Sequence, residues 1–517
     1  MLKKATLAAL VILVLAVGAR AALRLLTRDG SGIWPMIVSS SPDYDALEAH
    51  RARQRESGPP PAPETAPAAG ASAASASAAS APGAGAGNPA APASASESSR
   101  AEGRAVATTP AAPDSKTDAR PLAAAERRPA PGLWSDFRGP DRDGRSVEGP
   151  ILTVWPRDGL RRLWKQPIGL GYASFVVADG RAFTIEQRRR QEVASAYDVE
   201  TGRELWTNGW DGEFVESMGG DGPRATPTYH DGRVYVLGAL GELRCLDART
   251  GALIWRRDIL ADNAASNLSW GMSGAPLVVD DKVIVLPGGA HGKSVAAYER
   301  LTGAPVWTAL DDQQAYASPM LVMLQGMRQV LIVTAKRAVG LTVEEGRLLW
   351  EYPWANYNGI SVAQPLVLGN DRVFLSAGYG HGAATFEVTR SGESFVTRTV
   401  WQNTRMKNKF TSSVLHQGYI YGLDEAILAC LEAATGELKW KAGRYGYGQV
   451  LLAGDHLIVL AENGDVALVR ATPDRHEELA RFSAISGKTW NHPAVAGGRL
   501  LVRNLREMAA FDLRADR

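Results

Sequence analysis

Asp424 and Glu425, adjacent in YGLDEAILAC, are the best-placed carboxylate pair in the chain. Two carboxylates where one strand turns into the next can hold calcium, a hard cation that takes oxygen ligands; the plainer account is an Asp-initiated turn with a solvated neighbour. His291 in GGAHG and His381 in GYGHG sit in matching Gly-rich turns, but no further ligand follows at zinc spacing. Cys245 and Cys430 are the two cysteines, and each stands six residues before the glycine of a recurrent phrase, where other copies carry Ala196, Ala297 and Gly340. That position asks for a small apolar wall residue, not a nucleophile. No catalytic residue emerges from these groups. Aromatics, amides and cations collect instead in short connections: Trp270 in NLSWGMS, Tyr316 in DDQQAYA, Tyr357 and Asn358 in ANYNG, Lys409 in RMKNKF, Tyr445 and Tyr447 in GRYGYG, Trp490 and Asn491 in KTWNHP. Such residues on loops suit recognition of a partner. EQRRRQ (186–191) reads as a solvated hairpin tip.

The elements that must present these loops are written in a repeat. YDVETGRELW (197–206) returns as LDARTGALIW, YERLTGAPVW, LTVEEGRLLW and LEAATGELKW. Around each copy, short alternating apolar runs are divided by turn-formers, and residues 225–255 resolve into four strands joined by hairpin turns. One such antiparallel sheet is a propeller blade. A landmark at the start of the first strand, at Phe175, Pro227, Pro276, Pro319, Pro365, Ser413, Val450 and Pro493, occurs eight times at intervals of about 45 residues, within the range for blades. Copies five and seven lack the T-G-x-x-x-W phrase and read as degenerate blades. The chain ends on a third strand, whereas GLRRLWKQPIG (159–169) offers an outer strand with none before it. The N-terminal strand is therefore expected to complete blade eight and remove the open edge.

Glycine in the phrase supplies the positive φ of the turn, and the tryptophan then falls on the outer strand. Trp164, Trp206, Trp255, Trp307, Trp350 and Trp440 are expected to dock across blade boundaries onto the small residues six before each glycine. The phrase A-x-D-x-x-T-G-x-x-x-W, with WSDFRGPDRDGRS (134–146) and GDGPRATPTYHDGRVYVLGALGELRCLD (220–247), resembles the tryptophan-docking repeat of the pyrroloquinoline-quinone-like β-propellers over roughly 132–517. The resemblance implies an all-β, eight-bladed propeller of four-stranded antiparallel blades. It leaves activity open, because that superfamily holds quinone-dependent alcohol dehydrogenases and non-catalytic outer-membrane assembly propellers. Its enzymes imply a quinone stacked between a tryptophan and a ring formed by adjacent disulfide-bonded cysteines, with calcium nearby. Here no two cysteines are adjacent and no C-x-x-C-H occurs. The favoured reading is a non-catalytic scaffold without cofactor that binds a protein or peptide; the alternatives are a quinone- and calcium-dependent alcohol or sugar dehydrogenase using Asp424 and Glu425, and a small-ligand or glycan binder.

Formal net charge is +2, from 57 basic and 55 acidic side chains, which supplies no global field for nucleic acid. The first 26 residues carry Lys3 and Lys4, an uncharged run from Ala5 to Ala19, then Arg20 and Arg24, an export pattern. The run spans about 22 Å as a helix against a hydrocarbon core of about 30 Å. An uncleaved inner-membrane anchor facing a bacterial periplasm is favoured, because a long spacer is useful mainly if its other end is fixed; the alternative is a cleaved signal that releases the protein to the periplasm. Residues 27–56 form a membrane-proximal segment with one short helix expected in DALEAHRARQR. Residues 57–131 are nearly all Ala, Pro, Ser and Gly, cannot bury a core, and are expected to be a disordered linker.

Overall fold

The structure is a computed structural model that describes residues 43–56 and 132–515; the apolar segment, residues 27–42 and the linker 57–131 lie outside them. Among the described residues, eight sheets follow one another along the chain at 176–211, 228–258, 277–309, 320–353, 366–403, 414–444, 449–483 and 494–512, each built on four antiparallel strands and that at 449–483 carrying a fifth, parallel one, Arg145–Ser146. These are blades one to eight, and their first strands begin within one residue of the eight sequence landmarks. Blade eight takes its outer strand from Arg162–Pro167, which pairs antiparallel with the last strand, Glu507–Asp512, placing Trp164 opposite Ala510. The expected closure is present.

Second and third strands are buried on both faces, as in Val234–Leu237 and Leu243–Leu246, because each blade is sandwiched between its neighbours. The core is accordingly a series of inter-blade clusters. Val176, Phe183 and Ala196 pack with Val234, Val236 and Leu246 between blades one and two, and the cluster containing Leu468, Leu501 and Tyr197 joins blades seven, eight and one. Outer strands are largely exposed or half-buried, as in Leu253–Asp258, where Trp255 is the buried residue.

The repeated phrase has a clear local chemistry. Asp247 Oδ1 accepts from Thr250 N at 2.8 Å and Thr250 Oγ1 at 2.7 Å, and Gly251 then turns the chain at φ 75°. The preceding blade's Trp206 lies against that glycine so closely that a Cβ would meet the ring at 2.5 Å. Its Nε1 donates to Ala248 O at 3.1 Å. Equivalent bonds run from Trp164 to Val199 O, Trp255 to Arg300 O, Trp307 to Val343 O and Trp440 to Thr472 O, each in the next blade.

Three features depart from expectation. The small residues do not receive a neighbour's indole: Ala196, Cys245, Ala297, Gly340 and Cys430 stand opposite the tryptophan of their own blade. Trp350 donates to Gln329 Oε1 of its own blade at 2.6 Å, because blade five has no T-G turn to receive it. Blade five nevertheless keeps an equivalent tryptophan, Trp401, which donates to Ala433 O in blade six. It was hidden by the lengthened hairpin, two ten-residue strands, that replaces the phrase.

Candidate functional site

Two regions gather polar and aromatic groups. The first is the segment 134–146, which crosses between the inner strands. Trp134 exchanges backbone bonds with Val177 of blade one, and Arg145–Ser146 lies parallel to Gln449–Ala453 of blade seven. Between these ends, Arg142 donates to the carbonyls of Ala275, Pro276 and Pro319 and to Thr228 Oγ1, joining blades two, three and four. Asp136 pairs with the same guanidinium at 3.0 Å. Arg138 donates to Ser413 O of blade six, and Phe137 stands edge-on to His492 of blade eight. Burial lowers Arg138 to about 10 and takes His492 down to about 3, so the imidazole is neutral at pH 7. The two buried arginines thus tie the inner strands of blades two, three, four and six to one segment.

The second region is a row of rings on the outer-to-inner connections, joined by Tyr379 from the turn between the second and third strands of blade five. Tyr357 is 65 % exposed and lies 6.3 Å from Tyr379. Lys409 Nζ lies 4.8 Å from the ring centres of Tyr379 and of Tyr447, and 5.5 Å from Phe410. Phe410 meets Trp490 at 4.5 Å, and Trp490 stacks on Tyr172 at 5.4 Å with Lys488 Nζ 4.1 Å above it. Arg224 continues the row, 5.6 Å from Tyr172 and 4.6 Å from Phe214. Trp270 and Tyr316 form a further pair at 5.8 Å. Cations over ring faces recur because the quadrupole attracts them while the ammonium keeps contact with water. The polar tips are anchored: Glu462 accepts from Trp490 Nε1 at 2.9 Å and from Tyr447 N at 3.1 Å, and Tyr172 OH donates to Gly219 O at 2.5 Å. Burial lowers the Lys488 ammonium, with Glu462 acting against that shift.

The structure brings together Lys409, Tyr447 and Trp490, with Tyr357 adjoining through Tyr379, and leaves Asn358 exposed at a left-handed φ of 53°. It withdraws two others. Tyr445 is 2 % exposed and its hydroxyl donates to Glu478 Oε2 at 2.5 Å, while Asn491 is fully buried and donates to Gly171 O and Ala173 O. Both hold connections in place from beneath. Tyr172, Tyr379, Phe410, Lys488 and Arg224 were not singled out from sequence; Phe410 and Lys488 adjoin the quoted loop residues, and Tyr172 lies in the connection that leads into blade one.

EQRRRQ is corrected in part. Arg189 and Arg190 form the exposed hairpin tip, but Glu186 and Gln187 are buried and Arg188 nearly so, because the hairpin folds over a polar core in which Arg188 bonds Glu186, Tyr197 and Glu204. Burial would raise the Glu186 carboxyl, but Arg188 outweighs it and holds it at about 2.

The candidate metal groups are accounted for differently. Asp424 is buried and accepts from Lys441 Nζ at 2.7 Å and from Lys407 N at 3.1 Å, with Lys407 Nζ also at 3.1 Å. Burial opposes ionisation, yet the Lys441 and Lys407 bonds hold the carboxyl below the usual range. A carboxylate between two ammonium groups does not suit a dication. Glu425 takes a positive φ at the turn and its N–H donates to Lys407 O. His381 stands edge-on to Trp354 at 4.4 Å, and His291 is exposed at φ 58°. Among the described residues no three His, Cys, Asp or Glu gather as a metal cage. Cys245 and Cys430 are buried free thiols, each pushed up to about 12 by burial. The residues present therefore do not fit the quinone and calcium that the resemblance implies for the family's enzymes: Arg138 and Arg142 are buried across the ends of the inner strands, and Asp424, the carboxylate best placed for calcium, is already paired with two lysines.

Fold and repeat define the class, an eight-bladed propeller of pyrroloquinoline-quinone-like repeats. A family model described as outer membrane protein assembly factor BamB matches residues 189–442. The chain is 21% identical over 374 residues to the outer membrane protein assembly factor BamB of Burkholderia pseudomallei, covering 63% of this chain and 92% of that one. It is 35% identical over 103 residues to a 1-butanol dehydrogenase (cytochrome c) of Thauera butanivorans, but that is 19% of this chain and spans only 14% of the dehydrogenase. A quinohemoprotein alcohol dehydrogenase from Comamonas testosteroni shares the fold at a TM-score of 0.54 and 14% identity, over 75% of this chain and 81% of the other.

Proposed function

We propose that this chain is an exported, membrane-tethered, non-catalytic scaffold of the cell envelope that binds a protein or peptide through the aromatic row on its loop rim. The observation that carries the reading is the run from Tyr379 through Lys409, Tyr447, Phe410 and Trp490 to Tyr172, which starts in a turn of blade five and crosses the four connections that lead from there round to blade one. Rigid rings anchored by the Glu462 carboxylate and the Gly219 carbonyl offer contact area at little entropic cost, the composition of binding hot spots. Similarity to an assembly factor over 92% of that protein's length supports a scaffold more than similarity to 14% of a dehydrogenase supports an enzyme. In this reading the apolar N-terminal segment is the inner-membrane anchor, 57–131 the linker, 132–517 the propeller, and the inter-blade tryptophans its docking devices.

The test is site-directed photo-crosslinking in cells. A crosslinker at Tyr357 or Trp270 should trap a defined partner, lost on Trp490→Ala, while one at Val396 on the blade-five outer strand should not. Equal capture from both surfaces would sink the rim assignment.

A further inference from the structure

We infer that the seam between the closing strand and blade one is a docking surface for the chain's own membrane-proximal helix, Tyr44–Glu56, which acts as a latch on the ring closure. Its consequence for reach rests on the tether proposed above; the docking does not. A 13-residue helix is marginal in water by itself. Asp43 caps this one, accepting from Ala46 N at 2.9 Å, and one face then meets the propeller through Tyr44, Leu47, His50, Arg51 and Gln54, at spacings of three and four residues.

Arg51 is the anchor, only 1% exposed. Its Nη2 donates to Pro167 O of the closing strand at 2.7 Å, its Nε lies 3.6 Å from Glu204 of blade one, and its guanidinium lies 4.8 Å over Tyr197. His50 bonds Gln166 of the closing strand at 2.5 Å, and Gln54 Oε1 accepts from Glu204 N. At the rim of the seam Arg189 pairs with Asp45 at 2.6 Å and Glu48 at 3.1 Å. The helix thus bridges the first blade and the strand that closes the last. A buried arginine needs its carboxylate partner already in place, and here Glu204 is held for it by Arg188 at 2.5 Å.

On the tether reading, releasing the helix moves the first residue held in the propeller from Asp43 to Gly132, so the docked helix sets how much of the chain separates the propeller from the apolar run.

Hydrogen exchange on the full chain tests the docking. Amides of 48–56 should exchange at least about tenfold more slowly than in a synthetic 43–56 peptide. Arg51→Ala should bring them within about twofold of that peptide, with blade-four protection unchanged. The exposed double reversal Asp45→Arg, Glu48→Arg, which leaves the propeller untouched, should also loosen them. Peptide-like exchange in the native chain, or full protection in both variants, overturns the latch. A mature N-terminus near Ala22 would remove the tether and leave these exchange rates as they are.

Discussion

Trp164 Nε1 donates to the Val199 carbonyl at 2.9 Å, so the strand that closes the ring is bonded to the blade with which it begins. Deleting 132–169 removes that bond, the outer strand of blade eight and the central segment, and exposes a sheet edge. The melting temperature should fall sharply. Deleting 57–131 should leave it unchanged, since no described residue of the propeller lies there. Equal melting of both deletions would refute the closure.

Trp255 is 8% exposed, packs on Gly303 and bonds Arg300 O. Trp255→Ala should cost about 3 to 5 kcal/mol by denaturant titration. Trp401→Ala should fall in the same range. Cys245→Ala, which trims a small side chain facing its own blade's indole, should be mild. The reverse order would mean that Cys245 does more than fill space.

Arg142 satisfies carbonyls from blades three and four and pairs with Asp136. Arg142→Ala should destabilise by about 3 to 5 kcal/mol, because it strands a carboxylate and several carbonyls in the centre. Asp136→Ala should do comparable harm, read by the same titration. A neutral outcome for both would mean that 134–146 is a passive filler.

Glu192 is fully buried, and desolvation raises its carboxyl from 4.5 to about 7 even though Ala239 N and Trp210 Nε1 donate to it. Between about pH 4.5 and 7 the folded protein keeps a proton that the unfolded chain releases, so stability falls as pH rises through that window. The full term is up to about 3 kcal/mol. Asp143, raised to about 6 by burial, adds a slope of the same sign. Glu192→Gln mimics the protonated carboxyl and should flatten the stability profile between pH 5 and 8. An unchanged slope would place the titration elsewhere.

Asp424 is paired with two lysines and the buried Arg138 and Arg142 cross the inner strand ends, so the propeller should not take up stoichiometric pyrroloquinoline quinone with calcium. Equilibrium dialysis and dye reduction with a panel of alcohols and sugars check this. Substrate-dependent reduction abolished by Asp424→Ala would make the protein an enzyme.

The ring was legible in the sequence because blades are local objects. Each T-G turn, each tryptophan and each alternating strand obeys rules spanning ten residues or fewer, and repetition at a constant interval multiplied the signal. Even the closure followed, since an orphan outer strand at 159–169 and a missing one after Phe511 complement each other. What the tertiary structure decided are relations between segments distant in sequence. Tyr445 and Asn491 look like the loop residues beside them, yet their polar tips have buried partners within reach and they turn inward. Tyr172 joins Trp490 only because the ring brings blade eight beside blade one. Arg51 and Arg142 lie in stretches whose composition announces no core; they are buried because folded elements present carboxylates and carbonyls to them. An apolar residue declares its burial by its own chemistry, whereas a charged one is buried only where partners from elsewhere in the chain converge on it.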